Sequence, residues 1–309
     1  MKLVISLDVE EEGLFSGKYP RIAPGVANVS HLRRLEFIPR EFGFPLTLLA
    51  TWPVVRDQEA SATLRYWREK HGAEIGVHLH HWNTPPFSEI PLVEPVRSDV
   101  LPVELLDAKL GRLVAEVKER IGVVPRSFRM GRFDLGKNIR EMLPGHGLMV
   151  DSSIVPLRTQ PNGPDHFLCP PDPYLLPVRG EAPVLEAPLT MVPFFRKMPA
   201  LLERAASCLS GGKRERFLSN ARLLTATGIH PAWYPLPSML LAAKLHRTRG
   251  GGVLTMFLHS SELAPGATPD FPTENAVDRL VSRLRAFLWR LVRTQPVQGA
   301  TLSDLYREL

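Results

Sequence analysis

The stretch Glu74-Ile75-Gly76-Val77-His78-Leu79-His80-His81-Trp82, followed by Asn83-Thr84-Pro85-Pro86-Phe87, decides how the rest of the chain is read. It begins with strand-forming residues and runs into a Pro-Pro loop. Strand side chains alternate faces, so His78 and His80 point one way while Val77 and Leu79 point into packing. Two imidazoles on one face at a strand end can grip one divalent ion. Three of the ten histidines fall within four positions here, which sets the stretch apart from an ordinary polar loop.

Outward from it, apolar strands alternate with helical patterns. Lys2–Leu7 reads as a buried strand ending at Asp8-Val9-Glu10-Glu11-Glu12, and Asn28 to Phe42 reads as a helix. Leu46–Thr51 is a second strand and Ser61–His71 a helix stopped by Gly72. Val103–Ile121 is the clearest amphipathic helix, with Leu106, Leu110, Leu113 and Val117 on one side. Val123–Met130, Leu148–Asp151 and Gly252–Leu258 read as further strands, and Asn275–Arg293 as an amphipathic helix. This alternation predicts an α/β fold with a mainly parallel sheet, open or closed into a barrel. The 309 residues fit one domain, 1–309, with an irregular, basic insertion at about 156–249.

Hydrophobic residues make up 44% and charged residues 23%, the balance of a globular protein with a sizeable core. No apolar run approaches the ~20 residues of a membrane span. Two cysteines, Cys169 and Cys208, make neither a disulfide framework nor a zinc ribbon. With Met1 as the natural start and no signal peptide, a cytoplasmic location is expected. The net charge of +6 concentrates between Lys197 and Arg249. No nucleic-acid module accompanies it, so the expected partners are a phosphate-bearing substrate or, peripherally, an anionic membrane surface.

Polar clusters follow the strand C-termini: Asp8 and Glu10, His78 and His80, Arg129, Asp151, His259. That edge is where parallel α/β folds build sites. One carboxylate of Asp8 and Glu10 would complete a three-ligand site with His78 and His80, leaving the other free as a base. Three protein ligands with an open position is the catalytic zinc pattern. Arg129 beside Asp8 would keep a base ionised and aimed. His259, paired with Asp151, would be an imidazolium with a raised pKa, suited to general acid work.

This order of motifs resembles the NodB-homology polysaccharide deacetylases, carbohydrate esterase family four, and among them the WalW-like branch. Ser6-Leu7-Asp8-Val9-Glu10, Glu74-Ile75-Gly76-Val77-His78, Ser127-Phe128-Arg129-Met130-Gly131-Arg132-Phe133, Asp151-Ser152-Ser153 and Leu258-His259-Ser260-Ser261 match the five family signatures in order. The resemblance implies a distorted (β/α) barrel and one divalent metal, usually zinc. It also implies removal of an N-acetyl group from an amino sugar; with the cytoplasmic expectation, the substrate would be a nucleotide- or lipid-linked precursor of a surface polysaccharide. By position, Asp8 would be the base, Glu10 and His78 metal ligands, Arg129 the residue that orients Asp8, and His259 the acid tuned by Asp151. Two departures stand out. Glu10 lies two residues after Asp8 where the family has adjacent aspartates. Trp82 stands where a second metal histidine is common, so strand geometry assigns that role to His80, with His81 as rival. Trp82, Phe133 and Trp233 are candidates for stacking on sugar rings. Two other readings share these motifs: an amidase or deformylase on another small substrate, and a glycan-binding barrel with a degraded metal site.

Overall fold

Leu3 to Val9 are buried on both faces of their strand, as the near-continuous apolar run requires of a central parallel strand. This strand, β1 (Lys2–Val9), is the axis of the computed structural model, which describes residues 1–17, 19, 24–87, 96–160, 163–210 and 212–308. It is followed by β2 (Leu46–Ala50), helices α1 (Trp52–Arg56) and α2 (Gln58–His71), β3 (Glu74–Leu79), α3 (Val103–Ile121), β4 (Ser127–Met130), α4 (Lys137–Met142) and β5 (Val150–Asp151). The stretch expected as an irregular insertion carries β6 (Tyr174–Leu176), β7 (Val184–Glu186), β8 (Met191–Pro193), α5 (Met198–Ala206), α6 (Gly212–Thr225), β9 (Ala226–Gly228) and α7 (Leu236–Thr248). The chain ends with β10 (Val253–His259), α8 (Glu274–Thr294), β11 (Gln298–Ala300) and α9 (Leu302–Arg307).

The sheet runs β10-β1-β2-β3-β4-β5-β7-β6. One edge of β1 is shared: residues 2–4 pair with β11 and residues 5–9 with β2. All pairings within this sheet are parallel except β6 with β7. Together with the surrounding helices it forms a distorted, incomplete (β/α) barrel. The seam lies at β10. There Thr255 N–H donates to Thr190 Oγ1 (2.8 Å), Thr190 N–H donates to Thr255 O (2.9 Å), and Asp172 accepts from Gly252 and Val253 N–H. The free edge of β10 is thus satisfied by two loops instead of another strand.

Two expectations change in detail. The helix expected over 28–42 is a 3₁₀ segment, Ala27–Leu35, followed by a π turn, Ile38–Phe42. The strand expected to start at Val123 starts at Ser127. Gly76 has a packing reason: a Cβ there would lie 2.2 Å from Ser127 Oγ and 2.6 Å from Leu49 Cδ2, so only glycine lets β3 sit between its neighbours.

Asp172 accepts from His246 as well as the β10 backbone, so Asp172→Ala strands several donors at the seam. We expect a loss of about 1–3 kcal/mol, read as a lower urea midpoint with unchanged slope. An unchanged midpoint would show that the seam does not depend on this carboxylate.

Candidate active site

The C-terminal ends of β1, β3, β4 and β10 bring Asp8, Glu10, His78, His80, Arg129 and His259 together. Arg129 is fully buried. Its Nη1 donates to Asp8 Oδ1 (2.5 Å), Nη2 to Ser6 Oγ (2.8 Å) and Ser152 Oγ (2.9 Å), and Nε to Ser152 O (2.7 Å). Phe133 and Phe257 lie against the guanidinium at 5.6 and 5.5 Å. Burial works against ionising Asp8, but Arg129, with His78 and His259, outweighs it and holds the carboxyl below its usual value.

His78, on β3, and His80, one residue past its end, are fixed by their far nitrogens. His78 Nδ1 donates to Arg129 O (3.0 Å), and His80 Nδ1 donates to Glu11 Oε1 (2.8 Å). Both partners only accept, so each Nε2 presents a lone pair. These lone pairs face each other at 3.0 Å, with Glu10 Oε2 3.5 Å from both. Burial lowers the pKa of His78, keeping that ring neutral, and raises Glu10 to about 8, with Asp8 and Glu11 adding to the rise. A cation that took the place of the Glu10 proton would meet three convergent donor atoms here, two ring nitrogens and a carboxylate oxygen. Their spacing suits one ion, since a tetrahedron with ~2.1 Å arms has edges of about 3.4 Å. Glu10, His78 and His80 therefore fit a divalent metal.

Glu11 was legible only as part of an acidic run. Alternation places it on the face opposite Glu10, but β1 ends at Val9 and the chain is free to turn. Its carboxylate accepts from His80, Trp82 Nε1 (3.2 Å) and Asn83 Nδ2 (2.6 Å), orienting the histidine from behind. Trp82 stacks on His80 (4.2 Å, 26°). Gly131 is needed beneath them, because a Cβ there would lie 2.6 Å from His80 Cδ2. His81 turns elsewhere: its Nε2 meets Val96 O and Arg132 Nη2 at 3.0 and 2.9 Å, and burial, with Arg132, lowers it to about 3. Arg132 and Phe133 both hold left-handed backbone (φ 59° and 57°), strain that aims Arg132 at Trp82 and Phe133 at Arg129.

One role needs correction. Asp151 makes no ion pair with His259. It sits beside its register partner Glu186 on β7 and accepts from Ser153 Oγ at 2.5 Å. Burial raises both carboxyls, and the charge of Asp151 holds Glu186 well up. Ser153 in turn accepts from Met130 N–H, and Ser152 seats Arg129. The motif Asp151-Ser152-Ser153 serves β4. The carboxylate beside His259 is Glu262: its Oε1 lies 3.3 Å from His259 Nδ1, and its Oε2 accepts His259 N–H at 3.0 Å. The signal was an acid three residues past the strand-end histidine, at the spacing of a capping box. Burial alone would lower His259. Glu262, Glu10 and Asp8 overcome it and lift the imidazolium to about 9. His259 Nε2 faces Asp8 Oδ2 at 3.8 Å, and its side chain is 13% exposed against 2% for Asp8, so the site opens on the His259 side.

Two further residues frame the acid. Asn28 Nδ2 donates to Glu10 O, Ser260 Oγ and Ser261 Oγ, lashing the end of β1 to the end of β10. His230 is buried against Trp233 and Phe257 with its Nε2 3.7 Å from Glu262. Its Nδ1 accepts Ala232 N–H, so Nε2 carries the hydrogen and is no metal ligand.

No family model matches the sequence and no curated protein matches it significantly. Solved structures do match in three dimensions. A protein of Mycobacterium smegmatis assigned as a polysaccharide deacetylase shares 16% identity at TM-score 0.59, over 99% of this chain and 89% of that one. One of Parabacteroides distasonis assigned as a glycoside hydrolase/deacetylase shares 14% at 0.63, over 98% and 70%. One of Pseudomonas aeruginosa PAO1 assigned as a polysaccharide deacetylase shares 17% at 0.52, over 99% and 89%. The chain shares the fold of these proteins. On that fold, the edge carrying Asp8, His78, Arg129 and His259 is the C-terminal edge of the parallel strands.

Since Glu262 helps raise His259, Glu262→Gln should move its titration down from about 9. The protonated form is lost as pH rises through that value, so the shift appears as an earlier alkaline loss. Following the imidazole proton signals of His259 by NMR against pH checks this. An unmoved titration in Glu262→Gln, with Asp151→Asn shifting it instead, would return the tuning role to Asp151.

Proposed function

We propose that the chain is a metal-dependent hydrolase that removes an N-acetyl group from an amino sugar of a surface-polysaccharide precursor. The observation that carries this reading is the pair Asp8 and His259, a carboxylate held ionised and an imidazole held protonated, 3.8 Å apart beside Glu10, His78 and His80. Hydrolysis of an amide needs a base for water and an acid for the leaving nitrogen, both at neutral pH. A divalent ion on Glu10, His78 and His80 would acidify water and polarise the acyl oxygen.

Asp8 accepts a proton from the water whose oxygen adds to the acetamide carbon. Arg129 keeps the carboxylate aimed, because every bond it makes is to a fixed strand-end group. His259 gives its proton to the nitrogen as the C–N bond breaks, yielding acetate and a free amine. Glu262 steadies the imidazolium until then. Of the three aromatic candidates for sugar stacking, Trp82 and Phe133 are buried at 3% and 6%, whereas Trp233 is 45% exposed. Trp233 is therefore the ring that offers a face to a sugar, beside His230 and the open side of the site.

Asp8→Asn keeps the shape and removes the base. With metal-loaded protein and an N-acetylated amino-sugar oligomer, acetate release should fall about 10²–10⁴-fold in kcat with little change in KM. Equal rates for wild type and variant would dismiss Asp8 as the base. No acetate from any N-acetylated sugar with the metal-loaded wild type would dismiss the deacetylase reading.

A further inference from the structure

β8 and β9 form an antiparallel two-stranded ribbon with Pro193 opposite Ala226. The pairing continues past its end, where Phe194 N–H donates to Thr225 O at 2.8 Å. This bond brings Phe194-Phe195 beside Leu223-Leu224, the last turn of α6. All four side chains are exposed: Phe194 by 37%, Phe195 by 68%, Leu223 by 71% and Leu224 by 81%. Leu201 on α5 adds another, 60% exposed. Large apolar side chains seldom cluster in water without a partner. The acids nearby, Glu203 and Glu215, are paired with Arg214. Arg196 and Lys197, next to Phe194-Phe195, are exposed, and neither is among the ion pairs of the described residues. Arg214, by contrast, is occupied by Glu203 and Asp165.

We propose that this ribbon tip docks on an anionic lipid bilayer, inserting Phe194, Phe195, Leu223 and Leu224 among the headgroups while Arg196 and Lys197 meet lipid phosphates. An exposed apolar cluster flanked by exposed cations matches the bilayer interface in both polarity and charge. A second copy of the chain would meet the same cations and be repelled. The tip is also tied to the site. Leu224 and His230 are six residues apart on one strand path, so at most about 20 Å separates them. Docking would hold the mouth beside His259 near the membrane surface. The inference stands on the patch alone and does not require the deacetylase reading.

The test is flotation with vesicles of phosphatidylcholine alone and of phosphatidylcholine with about one third phosphatidylglycerol, at low and at high salt. Wild type should float with the anionic vesicles and be released by salt. Phe195→Ser with Leu224→Ser, and separately Arg196→Glu with Lys197→Glu, should each weaken binding at least about tenfold without changing circular dichroism or acetate release from a water-soluble substrate. Wild type left at the bottom with anionic vesicles would overturn the proposal. So would variants that bind as well as wild type, or a serine variant whose only change is dissociation of a dimer by light scattering.

Discussion

The structure depends on one buried ion pair. Arg129 is wholly enclosed, and a guanidinium in that position is tolerable only if every donor finds a partner and a carboxylate balances its charge. Asp8 supplies the charge, and Ser6 and Ser152 supply the remaining acceptors. Those partners come from β1 and from the turn after β5, so satisfying one side chain fixes how β1, β4 and β5 meet at their C-terminal ends. The same bond sets the chemistry, since the residue that neutralises Arg129 is the one kept ionised beside His259.

Around that pair the site divides its carboxylates by environment. Asp8, against a guanidinium, stays low. Glu10, desolvated by burial and close to Asp8 and Glu11, is driven up to about 8 and calls for a cation. Glu262, close to His259 and His230, is held below its usual value, although burial opposes this. Asp151 and Glu186, buried side by side away from His259, are both raised. Five acids of similar intrinsic strength therefore take different states, and the differences come from what each one touches.

Much of this was legible in the sequence. Alternation in β3 put His78 and His80 on one face, and parallel α/β logic sent Asp8, Arg129 and His259 to one edge. Alternation failed where regular structure ended. Glu11 lies two residues past β1 and turns back towards His80, which no period predicts. Glu262 was within view, three residues after His259, but a resemblance of motif order pointed to Asp151. The stretch 156–249 was opaque for a different reason: β6 to β9 are three residues each, too short for an alternating pattern to separate from loop. The barrel seam at Thr190 and Asp172 leaves no periodic trace at all.

The central claim is that Glu10, His78 and His80 hold one divalent ion, with His81 outside the site. Elemental analysis of wild type, His78→Ala, His80→Ala and His81→Ala, purified without a metal-affinity tag, tests it most directly. The account predicts about one zinc or similar ion per chain in wild type and His81→Ala, and loss of it in the other two. Retention of metal in His80→Ala with loss in His81→Ala, or no metal in wild type even after loading, would contradict it.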